Sequence, residues 1–65
     1  MNLNKLRAKR VEYRYTQCSL GKQLGVSTPT YRSKEIGNVP FTNIEISKLK
    51  QVLKLTIAEI DEIFF

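Results

Sequence analysis

Apolar residues recur along the chain in short stripes at helical spacing, and from the second stripe onward each is opened by a Ser or Thr able to cap a helix. Asn4 to Tyr13 contains neither Gly nor Pro, and Leu3, Leu6 and Val11 form one apolar stripe opposite a strongly basic face, which predicts a first helix. Thr16 precedes Gln17-Cys18-Ser19-Leu20. Its hydroxyl can accept a backbone N–H, and Leu20 and Leu24 lie one turn apart on a second helix. That helix ends at Gly25, which lacks a Cβ and so takes the left-handed conformation that a helix terminus favours. Ser27 opens a third helix with Pro29 in its first turn, where a missing N–H costs nothing. Gly37-Asn38, followed by Pro40, stops it.

Thr42 opens a fourth segment with Ile44, Ile46, Leu49, Val52 and Leu53 mostly at 3-to-4 spacing and lysines between them. Thr56 caps a fifth, where Glu59 can reach back to the Thr56 N–H as a capping box, and Ile57, Ile60, Ile63 and Phe64 supply the apolar face. No repeat, low-complexity tract or long linker interrupts the series. The pattern predicts an all-α, compact five-helix domain over residues 1–65.

Composition narrows the picture. With 65 residues, 42% hydrophobic and 26% charged, the chain has a globular balance, and a single small core is all that its length allows. Cys18 is the only cysteine and histidine is absent, so neither an internal disulfide nor a usual zinc-ligand spacing is expected, and no metal or cofactor is. The opening MNLNKLRAKR has no apolar signal-like run and no stretch is long enough to span a bilayer, so the expectation is a cytoplasmic protein without a membrane partner.

The formal charge is +5, which favours a polyanionic partner. Residues 1–40 carry eight Lys/Arg against Glu12 and Glu35, a net of +6, whereas residues 41–65 carry a net of −1. Any anion-binding face is therefore expected in the first two thirds. Catalysis is not expected, since the basic part has no histidine, no phosphate-cradling Gly-rich loop and no carboxylate cluster, and Cys18 has only a helix dipole to activate it. A membrane-surface role could use basic helix 1 but leaves the placement of glycines and caps in helices 2 and 3 unexplained.

Two short helices joined by a Gly-containing turn, the second opening with polar and cationic side chains, fit a major groove. The stretch Thr16-Gln17-x-x-Leu20-Gly21-x-x-Leu24-Gly25-Val26-Ser27-x-x-Thr30-Tyr31-x-x-x-Glu35-x-Gly37 resembles the helix-turn-helix of phage Cro and repressor proteins and their bacterial (XRE-like) relatives. Leu6-Arg7 and Arg10 before it, and Asp61-Glu62-Ile63-Phe64 after it, extend the resemblance over nearly the whole chain. It implies a lambda-repressor-like DNA-binding domain with the helix-turn-helix at about residues 16–36 and a recognition helix at about 28–36. Gly21 must be small where the helices cross, while Leu20, Leu24 and Val26 fill the space between them and scaffold without reading DNA.

By the resemblance, Thr28, Pro29, Arg32 and Ser33 face the bases. Arg32 can bond guanine O6 and N7 in bidentate fashion, or clamp a phosphate, or remain a solvated surface arginine. Gln17, Ser27, Asn38, Thr42 and Asn43 are nominated for phosphate contact, with Lys22 and Lys34 adding charge nearby or simply solvated. Arg10 and Glu35 match a pair that ties helix 1 to the end of helix 3 in many relatives. Departures are Arg14 where Gly is frequent, Ile36 where Asn is common, Asn38 in place of Lys, and Tyr31 in place of an aliphatic, its ring expected on helix 2 with the hydroxyl reaching solvent or a phosphate. Tyr15 is expected in the core.

The implied partner is a double-stranded DNA operator, bound by two copies that associate weakly and with the help of DNA, the region of helices 4 and 5 with Ile63, Phe64 and Phe65 being the candidate contact between them, unless Ile63 and Phe64 belong to the core and Phe65 is a frayed terminus. The competing expectation is a protein-interaction module of the same fold that binds another repressor through an apolar patch of Ile36, Val39 and Phe41.

Overall fold

A computed structural model describes residues 1–65 as five helices without strands: α1 (Leu3–Glu12), α2 (Gln17–Leu24), α3 (Thr28–Glu35), α4 (Asn43–Val52) and α5 (Ile57–Phe64). Every helix begins at a capping side chain. Asn2, Thr16, Ser27, Thr42 and Thr56 each accept the N–H three residues on, and Thr16, Thr42 and Thr56 form reciprocal capping boxes with Ser19, Glu45 and Glu59.

Four helix ends share one device. The N–H groups of Tyr15, Val26, Asn38 and Leu55 each bond back to a carbonyl five residues earlier, across a left-handed residue: Arg14 (φ 62°), Gly25 (77°), Gly37 (92°) and Lys54 (51°). Three of these bonds bring Tyr15, Val26 and Leu55 back toward the core.

The core draws on all five helices and one turn. Leu6, Leu20, Leu24, Tyr31, Leu49, Leu53, Leu55 and Ile63 are buried, and Leu3, Tyr15, Val26, Phe41, Val52, Ile60 and Phe64 pack around them. The Cα radius of gyration is 10.4 Å, close to the roughly 11 Å that a compact chain of this length adopts. α2 lies against α3 and α4, while α5 lies against α1. The last contact is reinforced by the Asn2 N–H to Ile63 carbonyl bond (2.9 Å), Lys5–Glu62 (2.9 Å) and Lys9–Glu59 (2.7 Å).

Three expectations about apolar faces need correction. Val11 is exposed, because α1 turns Leu3, Leu6 and Arg10 inward and leaves Val11 beyond that stripe. Ile44 and Ile57 are exposed as well, each in the first turn of its helix ahead of the turns that pack. At the C-terminal end Ile63 is fully buried and Phe64 packs on the core, so of the candidate contact between copies only Phe65 is exposed.

Candidate nucleic-acid interface

The turn Gly25-Val26-Ser27 joins α2 to α3 and presses the two helices together at Gly21. A Cβ at Gly21 would stand 3.2 Å from the Val26 carbonyl oxygen and 3.4 Å from Tyr31 Cβ, so a side chain at the crossing would require the turn to give by a few tenths of an ångström. Within α3, Tyr31, Lys34 and Glu35 share the inward face at i, i+3 and i+4. The opposite arc carries Pro29 and Arg32, both exposed, flanked by half-buried Thr28 and Ser33. All four residues nominated for base reading thus share one outward surface. Arg32 Nε lies 3.5 Å from Gln17 Oε1, which keeps the guanidinium near the start of α2.

The end of α3 is held by a buried network. Arg10 Nε and Nη2 donate to Glu35 Oε2 and Oε1 at 2.9 and 3.2 Å, Gln17 Nε2 adds a 3.3 Å bond to Oε1, and Arg10 Nη1 donates to the Tyr15 carbonyl at 2.9 Å. The structure therefore contains the Arg10–Glu35 pair. Burial pushes the Glu35 carboxyl up, but the bonds donated by Arg10 and Gln17 outweigh it and hold the group below the ordinary range.

Tyr31 differs from the expectation. Its ring is fully buried, its hydroxyl is sealed from solvent without a hydrogen-bond partner, and burial, followed by the Glu35 charge close by, raises its pKa. It reaches neither solvent nor a phosphate.

Lys34 also needs correction. A surface cation was expected, yet its ammonium is buried and bonded to Glu45 Oε1 (2.8 Å) and the Pro40 carbonyl (3.2 Å). It is not available to a phosphate. Lys34 stands three residues after Tyr31, on the inward stripe, and that spacing was the signal for its burial.

The other phosphate candidates divide by whether their donors are free. The Gln17 side chain is occupied by Glu35, but the Gln17 backbone N–H at the start of α2 has no internal acceptor. The Ser27 hydroxyl donates to Thr30 Oγ1 (2.9 Å) while capping α3, and the Thr42 N–H is taken by Glu45 Oε1 (2.9 Å). Lys22, Asn38 and Asn43 are exposed, with no side-chain bond or ion pair. Asn43 also begins α4 with its N–H free.

Pairing redistributes the charge. Lys5, Lys9, Arg10 and Lys34 are neutralised in ion pairs, and every acid except Asp61 takes part in one. The unpaired cations are Arg7, Arg14, Lys22 and Arg32 in residues 1–40, and Lys48, Lys50 and Lys54 beyond them. The free positive charge is thus spread more evenly along the chain than the formal count implies.

The apolar patch is smaller than expected. Ile36 is 62% and Val39 40% exposed, but Phe41 turns inward and meets Tyr31 and Phe64 edge to face, with ring centroids 6.2 and 5.5 Å away. Val39 rims a groove of about 230 Å³ whose lining includes Leu3, Phe41, Ile46 and Phe64. No cluster of His, Cys, Asp or Glu suited to a metal occurs, and no helix is long and apolar enough to cross a membrane. Cys18 is exposed at the start of α2. No family model, curated protein or solved structure matches the chain.

Proposed function

We propose that this chain is a lambda-repressor-like helix-turn-helix protein that binds double-stranded DNA sequence-specifically and regulates transcription, in the manner of Cro and the phage repressors. The observation that carries the reading is the α2–turn–α3 unit. Its helices meet through Gly21, and the arc of α3 away from the core bears Thr28, Pro29, Arg32 and Ser33. α3 lies in the major groove with Arg32 as its principal reader, one bidentate guanine contact contributing about 1–3 kcal/mol of discrimination. The free N–H at Gln17, with Lys22, Asn38 and Asn43, meets the flanking phosphates. One short helix makes few base contacts, so two copies occupy a roughly palindromic operator and associate mainly on DNA. The protein works in the cytoplasm of a bacterial or phage-infected cell, without cofactor or catalysis.

The test is binding to duplex DNA from around the protein's own gene at several salt concentrations, with Arg32→Ala in parallel. The expected result is selective binding that weakens steeply with salt through counterion release and loses selectivity in the variant. Absence of selective binding even at low salt overturns the reading. The exposure of Ile36 and Val39 favours a second reading, docking on another repressor. That association would be insensitive to salt and would weaken in Ile36→Asn.

A further inference from the structure

Lys34 and Glu45 form the most thoroughly enclosed contact between charged groups outside the Arg10–Glu35 network. The two residues are 6% and 9% exposed, and Lys34 Nζ stands 2.8 Å from Glu45 Oε1 and 5.9 Å from the centre of the Phe41 ring. Removing two charges from water is expensive, and well-packed apolar side chains of similar volume would often serve stability as well or better. A pair kept under those conditions is expected to fix geometry.

The geometry it fixes can be read from its bonds. Lys34 belongs to the last turn of α3, and Glu45 to the first turn of α4. Between them runs the segment 36–42, and each bond of the cluster spans or grips it. Lys34 Nζ donates to Glu45, closing the segment end to end, and to the Pro40 carbonyl (3.2 Å) in its middle. The same Glu45 oxygen accepts the Thr42 N–H (2.9 Å), the cap of α4. One carboxylate oxygen therefore ties the end of α3 to the start of α4. Next to Lys34, Glu35 ties that end of α3 to α1 through Arg10. Adjacent residues of opposite charge anchor one helix end in two directions.

We infer that the Lys34–Glu45 pair is a positioning device for the DNA interface: it holds segment 36–42 so that Asn38 and the free N–H of Asn43 stand at phosphate distance while α3 lies in the groove. The inference rests on the DNA-binding reading. Lys34 is buried and touches no DNA. Its loss therefore lowers affinity without changing the number of phosphates neutralised, whereas loss of an exposed phosphate-contacting lysine lowers both.

The experiment uses the full chain and the double variant Lys34→Met with Glu45→Gln. This change leaves the net charge unaltered, strands no buried charge, and keeps an acceptor at position 45 for the Thr42 N–H. Duplex binding at several salt concentrations is measured for both proteins, together with amide hydrogen exchange over residues 36–43. The expected result is a folded variant with Kd weaker by about tenfold, the equivalent of one or two lost hydrogen bonds. Its dependence on salt stays unchanged, and exchange accelerates within 36–43 ahead of α1 and α5. Equal affinity in the two proteins overturns the inference and leaves the DNA-binding reading intact. Lack of binding by the parent chain overturns that reading, and this inference with it. If the variant fails to fold, exchange in the parent decides: a Thr42 amide, bonded to Glu45, as unprotected as that of a free loop overturns the inference, and protection approaching that of α3 supports it.

Discussion

Arg14 and Lys54 occupy backbone positions that glycine fills at the other two left-handed helix ends of this molecule. Both close the same kind of turn, Tyr13-Arg14-Tyr15-Thr16 and Leu53-Lys54-Leu55-Thr56, in which the residue after the left-handed one turns inward and the next caps a new helix. A side chain in that conformation brings Cβ close to the following carbonyl oxygen, at a cost of roughly 1–2 kcal/mol. Removing it returns most of that amount, less the extra freedom that glycine gives the unfolded chain. Arg14→Gly is therefore expected to stabilise the protein by about 1 kcal/mol and to raise Tm by about 4–8 °C for a chain of this size. Thermal unfolding followed by circular dichroism checks this; an unchanged or lower Tm would show that the arginine makes a compensating contact in the folded state. Arg14 is also among the cations without an ion pair, so its exposed charge remains available to a polyanion.

The five helices were legible in the sequence because the signals that bound them are local. A threonine hydroxyl reaches an N–H three residues on whatever the rest of the chain does, and Thr16, Ser27, Thr42 and Thr56 all act where their neighbours indicate. What joins the helices was legible only in part. Arg10 and Glu35 could be paired through resemblance to a family, whereas Lys34 and Glu45, on different helices, have nothing in their immediate neighbours to mark them as partners. An isolated lysine defaults to solvent, and only its place on the Tyr31 stripe indicates otherwise. For the same reason Val11 reads as core although α1 offers that face no partner. The coupling of α1 to α3 gives a test at this scale. Glu35 is almost fully buried, so Glu35→Ala strands the Arg10 guanidinium and should cost about 3 kcal/mol. A 65-residue domain has a total stability of roughly 3–10 kcal/mol, so this is a large part of it. Replacing both partners, by Arg10→Met with Glu35→Leu, should recover most of the loss, as urea unfolding would show. A Glu35→Ala protein within 1 kcal/mol of the parent would mean that the pair adds nothing to the joint between the helices.

For the molecule as a whole, the ion pairs set the pH range over which it is stable. Burial pushes Glu45 up, but its bonds from Lys34 and Thr42 prevail and hold the carboxyl below the ordinary range, as happens at Glu35. Glu59 is held at about 2, chiefly by the Lys9 ammonium and then by the Thr56 N–H. A carboxylate whose folded pKa lies below its unfolded value binds fewer protons in the native state. Its stabilisation is complete above the unfolded value of 4.5 and is lost as the pH falls through the folded value. Three such groups should give a progressive loss of stability on acidification below about pH 4.5, reaching down to about 2 for Glu59. At the alkaline end the sign reverses. Lys9, raised by its bond to Glu59, and Tyr31, raised by burial, stabilise fully below their ordinary values of 10.5 and 10.0 and less as the pH climbs beyond them. The chain has no histidine, the side chain that ordinarily titrates near neutrality. Urea midpoints should therefore trace a plateau between about pH 5 and 9 with a fall on either side. In Glu59→Gln the acid fall should become shallower toward pH 2, because the carboxyl held at about 2 is gone. A steady slope across pH 6–8, or a midpoint held unchanged down to pH 2.5, would contradict this balance of pairs.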